Sequence, residues 1–268
     1  MSNIWDEYDW DIWDPIKNPL PIKVNKYRKI SFCTTCMNRL NDLSKTLIPN
    51  ILDNIDYPNV EFVLLNYNSS DELEQWVQKN LMSYIESGVL VYFKTTEPEY
   101  YSMPHSRNVA FKAATGEIVN SVDADNYTHK GFAAIINRMA ECRKRWAVFA
   151  KGKKAIHGRI GYYKNEFLDI GGYDEGLTGY GFDDHNLLYR AMCMGFRLMW
   201  WGNKYFARIK TDKINVMVNM KEKDWRKTER RNREISMDRL KKRELIANID
   251  HHWGKAHLIR NFSEELEI

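Results

Sequence analysis

Two acidic clusters carry most of the chemistry this sequence can offer: Asp123-Ala124-Asp125 and, about sixty residues later, Asp183-Asp184. In an extended segment the side chains of residues i and i+2 point the same way, so Asp123 and Asp125 can address one ligand with only the small Ala124 between them. Two carboxylates so placed suit a hard cation, Mn2+ or Mg2+, held against a diphosphate, because such ions take few protein carboxylates and fill their shells with phosphate oxygens. The second cluster has the character of a proton acceptor. Arg107 offers a fixed charged fork that suits phosphate.

The elements around these residues follow from hydrophobic period. The run from Glu117 to Val122 predicts a buried strand that delivers Asp123 and Asp125 at its C-terminal end, where open α/β sheets bind ligands. Strands are also expected at Ile30–Thr35, Val60–Leu65, Val89–Phe93 and Ala147–Ala150. Helices are expected at Leu40–Ile55, where Pro49 is a candidate kink, and at Glu72–Leu81, Ser106–Ala114 and Gly131–Lys144. Alternation of this kind argues for an α/β protein with a mostly parallel sheet, right-handed crossovers and a site built from the loops at strand C-termini.

The motifs around the clusters carry a resemblance. The run from Ser106 to Glu117, then a strand, then Asp123-Ala124-Asp125-Asn126, is similar to the approach to the metal-binding Asp-x-Asp of nucleotide-sugar glycosyltransferases of the GT-A (Rossmann-like) fold, family 2 especially. The stretch from Gly158 to Glu175, followed by Gly179-Tyr180-Gly181-Phe182-Asp183-Asp184 and on to Arg190, resembles the C-terminal galactosyltransferase signature shared by family 7 and many family 2 relatives. The similarity spans Lys29 to Trp201 and implies a metal-dependent, inverting glycosyltransferase. It implies a nucleotide-sugar donor, UDP-sugar foremost, and a saccharide or other hydroxyl acceptor.

By that resemblance Asp184 is the base, and Asp183 stands beside it for catalysis or for binding the acceptor. Tyr180, Gly181 and Trp201 fall on the acceptor side. Asp125 and Asp123 fall on the metal, and Thr34, Thr35, Arg39, Asn66, Asn68 and Arg107, with Asp123, on the donor. Family relatives often have Asp where this chain has Asn66. Family 7 relatives also supply a further metal ligand, usually His, just after the signature, but the corresponding run from Val216 to Glu222 has none. Glu222, Asn219, His251 and His252 are the alternatives, with Lys221 as a cationic substitute.

Composition frames these motifs. At 268 residues, 44% of them hydrophobic, the chain can bury one core of good size. Residues 1–28, rich in Trp, Asp and Pro, read as an extension draped over the domain, 29–208 as the catalytic domain, and 209–268 as a basic helical extension ending in a short tail. No apolar run approaches membrane-spanning length and the N-terminus lacks the pattern of a signal peptide, so a cytoplasmic protein is expected. Cys33 and Cys36 have no second Cys-x-x-Cys to complete a zinc site and read as buried thiols. The formal charge of +4 is uneven, with basic side chains concentrated between Lys221 and Arg243. That segment suits a polyanion, which gives a second reading: a nucleic-acid-binding protein, or a transferase with a polyanionic acceptor. Glu222, Asp224, Glu229, Glu234 and Asp238 are interspersed there, the pattern of a salt-bridged solvated helix.

Overall fold

The computed structural model describes residues 12–13, 24–142, 146–150, 158–201, 205, 207–210, 213–249 and 252–268. The N-terminal half alternates as β1 (Ile12–Trp13), β2 (Ile30–Cys36), α1 (Leu40–Asn54), β3 (Val60–Tyr67), α2 (Leu73–Asn80), α3 (Met82–Glu86), β4 (Leu90–Thr95), α4 (Met103–Ala113), β5 (Ile118–Ser121), β6 (Asn126–Tyr127) and α5 (Phe132–Cys142). The rest comprises β7 (Trp146–Ala150), β8 (Gly161–Tyr163), α6 (Lys164–Asp169), α7 (Asp183–Cys193), β9 (Arg197–Trp201), β10 (Ala207–Arg208), α8 (Lys213–Met217), α9 (Trp225–Lys241), β11 (His257–Arg260) and β12 (Glu264–Glu267).

Among the described residues ten strands form one sheet in the order β1-β9-β7-β8-β5-β2-β3-β4-β11-β12. Its centre, β5-β2-β3-β4, is parallel. The central strands are apolar on both faces, and their two-residue period sorts them into two cores. Ile30, Phe32, Phe62, Leu64, Leu90, Tyr92 and Ile118 face Leu43, Leu47 and Ile51 of α1. Cys33, Val63, Leu65, Val91, Phe93 and Val119 face Val109 and Phe111 of α4 and Leu187 and Ala191 of α7. Burial raises both thiols, Cys36 to about 12, so neither is poised as a thiolate.

Three features differ from the sequence expectation. First, β8 enters antiparallel between β5 and β7, which makes the sheet mixed. Second, β5 stops at Ser121, so Asp123, Ala124 and Asp125 occupy a turn closed by the Asn126 N–H donating to the Asp123 carbonyl at 2.9 Å, not an extended strand. Third, the expected short tail is a hairpin: β11 pairs antiparallel with β4, and β12 with β11. Helix α1 runs on through Pro49. No described helix is long and apolar enough to cross a membrane. Residues 1–11, including Trp5 and Trp10, lie outside the described residues, as do the side chains of Trp13, Trp200 and Trp201.

Candidate active site

A cleft of about 360 Å3 opens beyond the C-terminal ends of β2 and β5. It is walled by the turn after β5, the loop before α7, and parts of α4 and α9. Asp123, Asp125, Asp183 and Asp184 all line it. Helix α4 sets its floor. Ser102 caps that helix by accepting the His105 N–H, and Arg107 follows on the next turn, buried.

The Arg107 guanidinium joins both acidic clusters. Its Nη2 donates to Asp123 Oδ1 at 3.0 Å, while Nη1 donates to Asp183 Oδ2 and Asp184 Oδ1, each at 2.7 Å. The Tyr173 ring lies 5.3 Å from the guanidinium carbon. Gly158 makes room for this contact, since a Cβ there would lie 2.6 Å from Arg107 Nη2 and 2.9 Å from Asp123 Oδ2. Sequence reasoning placed Arg107 on the donor; its geometry instead commits the fork to carboxylates.

Asp183 and Asp184 open α7, where the positive end of the helix dipole favours carboxylates. Phe182, immediately before them, has a left-handed φ of 70°, a conformation that costs a non-glycine residue energy and is sustained by its surroundings. Helix α9 supplies that support. Thr228 Oγ1 donates to the Tyr180 carbonyl at 2.9 Å, and Asn232 Nδ2 donates to the carbonyls of Thr178 at 3.1 Å and Gly181 at 2.9 Å. Asn186 Nδ2 in turn reaches Ser236 Oγ at 3.1 Å. Burial pushes the Asp184 carboxyl up, Arg107 pulls it down, and Asp183 and Asp123 add to the upward push. Among the described residues Asp184 Oδ2 takes no hydrogen bond.

Across the cleft, Asn126 Nδ2 donates to Asp123 Oδ2 at 3.3 Å and to Asp125 Oδ1 at 3.1 Å, so one amide holds the two carboxylates on the same side. The amide is itself oriented by buried Arg159, whose Nη2 donates to Asn126 Oδ1 at 3.2 Å. Burial brings Arg159 down to about 10. Arg39 reaches Asp42 at 2.6 Å and Asp125 at 3.4 Å. Burial, then Asp123, raises the Asp125 carboxyl despite Arg39.

The sequence-derived donor residues divide. Thr35 and Arg39 line the cleft, with Thr35 Oγ1 and Tyr101 OH 2.6 Å apart. Thr34 is buried and does not line it. Asn66 is also buried, its Oδ1 accepting the Ser69 N–H at 2.9 Å and its Nδ2 donating to Tyr92 OH at 2.8 Å, while Asn68 donates to the Pro98 carbonyl at 2.8 Å. Both amides shape the loop after β3. Tyr180 and Gly181, expected on the acceptor side, line the cleft.

Among the described residues none of the sequence candidates for a third metal ligand joins Asp123 and Asp125. Asn219 lines the cleft, but its amide ties Met37 and Asn38 to its own loop at 2.8 and 2.9 Å. Glu222 pairs with Lys227 and Arg231, His252 borders a separate hollow beside Trp253, and His251 lies outside the described residues. Among the described residues no group of three His, Cys, Asp or Glu is arranged to hold a metal. The donor set is two oxygen-bearing side chains held side by side. That fits a hard cation completing its shell with phosphate oxygens and water, and it does not fit a closed protein cage.

Sequence reasoning missed Asn126 and Arg159 as positioning residues, and His185 and Arg208 as residues lining the cleft. Asn126 directly follows the acidic pair and Arg159 directly follows Gly158, so adjacency to the motifs was the available signal. Arg208 carried none, because pairing between β10 and β6 brings it in from 82 residues away.

No protein-family model matches the sequence, and no curated protein matches it. Solved structures do. A mannosyltransferase from Pyrobaculum calidifontis in complex with GDP-Man and Mn2+ superposes with a TM-score of 0.58 at 20% identity over 75% of this chain. S. aureus TarS 1-349 in complex with UDP-GlcNAc superposes at 0.61 with 19% identity over 83%. The fold is GT-A. GalNAc-T7 with UDP, GalNAc and Mn2+ shares the GT-A fold at 0.53 with 15% identity over 67%. The chain spans 60% of the first of these structures, 68% of the second and 43% of the third.

Proposed function

We propose that the protein is an inverting glycosyltransferase that moves a sugar from a nucleoside diphosphate donor, a UDP-sugar foremost, to an acceptor hydroxyl with the help of a divalent cation. The observation that carries this reading is the single cleft of a GT-A fold in which Arg107 joins Asp123 of one acidic cluster to Asp183 and Asp184 of the other. The neighbours with bound GDP-Man, UDP-GlcNAc and UDP support the donor class.

Asp184 Oδ2 takes the acceptor hydroxyl's proton as that oxygen bonds to the anomeric carbon. The bond from that carbon to the phosphate oxygen breaks, and its electron pair leaves with the nucleoside diphosphate. A carboxyl pushed up by burial is the stronger base for this step. Arg107 fixes the direction of Asp184 through Oδ1 and leaves Oδ2 for the proton. Asp123 and Asp125, held together by Asn126, are the ligands for Mn2+ or Mg2+, which when bound supplies positive charge to the diphosphate. Tyr180 and Gly181 frame the acceptor.

The nucleic-acid reading finds less support. On α9 and its flanks Lys227 and Arg231 pair with Glu222, Arg239 with Asp174, and Lys242 with Asp238, so much of the basic charge is met within the chain. The test is release of nucleoside diphosphate from a panel of nucleotide sugars, with Mn2+, Mg2+ or EDTA. The wild type turns over at least one donor with metal and not with EDTA. Asp125→Asn and Asp184→Asn lose at least about 100-fold, as expected for a lost metal ligand or base, with an unchanged circular dichroism spectrum. Full activity in both variants overturns the assignment.

A further inference from the structure

The cleft contains one guanidinium that the chemistry above does not use. Arg208 lies on the two-residue strand β10, which pairs antiparallel with β6 so that Arg208 stands opposite Asn126. Residues directly opposite in an antiparallel pair project to the same face. Arg208 therefore emerges on the side of Asn126, whose amide bridges Asp123 and Asp125. The strand is pinned there by the Ile209 N–H donating to the Asp125 carbonyl at 2.8 Å. Arg208 is exposed and lines the cleft, and its charge acts to lower the Asp125 carboxyl.

The other arginines lining the cleft are committed. Arg39 serves Asp42 and Asp125, and Arg107 serves Asp123, Asp183 and Asp184. Among the described residues no lysine lines the cleft, and the Arg208 side chain makes no hydrogen bond or ion pair. A divalent cation held by Asp123 and Asp125 would have its charge balanced by those two carboxylates. The negative charge of a diphosphate, which grows as the bond to the sugar breaks, would then meet Arg208, the one cleft-lining arginine among the described residues that no carboxylate pairs.

We infer that Arg208 is a diphosphate-binding residue, its guanidinium pairing with phosphate oxygens of the donor and of the departing nucleoside diphosphate. The inference rests on the glycosyltransferase reading and adds to it a residue that the sequence motifs do not contain.

Isothermal titration with UDP, GDP and the corresponding nucleosides, in Mn2+, tests it on wild type, Arg208→Ala and Arg208→Lys. Because Arg208 is exposed and its side chain forms no hydrogen bond or ion pair among the described residues, both variants keep the wild-type melting temperature. A charge-assisted pair with phosphate predicts that Arg208→Ala weakens diphosphate binding by about 10- to 100-fold, with nucleoside binding unchanged and Arg208→Lys recovering part of the loss. In turnover, kcat falls as well as donor affinity, because the charge on the leaving group is largest in the transition state. Equal diphosphate affinity in wild type and Arg208→Ala overturns this inference alone. Absence of diphosphate binding in the wild type overturns the glycosyltransferase reading with it.

Discussion

Asp184 is held between opposing influences, and its behaviour with pH follows from them. Burial, Asp183 and Asp123 favour the protonated carboxyl, and Arg107 favours the carboxylate. A base must be deprotonated to act, so kcat/KM is level at high pH and falls about tenfold per pH unit once the carboxyl protonates. The balance is upward, so the midpoint of that acid limb lies above the ordinary carboxylate range of about 4. Asp183→Asn removes one upward push and leaves Arg107 more fully to Asp184, so the limb moves to lower pH. A pH-rate profile of the two proteins checks the sign, and a limb displaced upward in Asp183→Asn contradicts the assignment.

At the scale of elements, α9 shows how a sequence pattern can point away from its own role. Its composition is that of a solvated basic helix, yet Thr228, Asn232, Ser236 and Leu240 are buried at four-residue intervals, and the first two grip the loop before α7. Hydrophobic period misses such a stripe because three of its four members are polar. The central strands were legible for the opposite reason: each is a short, continuous apolar run, the mark of a strand buried on both faces. Asp123 and Asp125 were legible as a pair but not in their geometry, which depends on the Asn126 amide and, behind it, on Arg159. Asn232→Ala removes two part-buried hydrogen bonds to the loop, costing about 1–3 kcal/mol. Thermal melts give that loss, and initial rates are expected to fall at least tenfold, because Phe182 is released from its left-handed turn and the α7 carboxylates lose their setting. A variant destabilised but fully active contradicts this role for α9.

For the whole molecule, the C-terminal hairpin completes the sheet. Leu258 is fully buried in the α4-side core, Asn261 Oδ1 accepts the Tyr92 N–H at 3.0 Å, and the Phe262 ring stacks on Tyr92 at 4.8 Å. These contacts cover the outer edge of β4, which otherwise presents unpaired backbone groups to other chains. The sequence hid this closure because β11 and β12 are short and carry charged residues, the marks of a solvated end. Truncation after Trp253 is expected to lower the melting temperature by several degrees and to promote self-association, a loss of about 2–4 kcal/mol for one large buried side chain and its neighbours. Light scattering and calorimetry check this, and a monomer of unchanged stability contradicts it.

The fork of Arg107 also constrains how such a site can diversify over generations. One guanidinium answers to three carboxylates on two separate segments, so neutralising any one of them redistributes its charge onto the others, and paired substitutions do not add. The two acidic motifs are thereby coupled energetically. Val216 lines the same cleft and takes no part in this knot of charges.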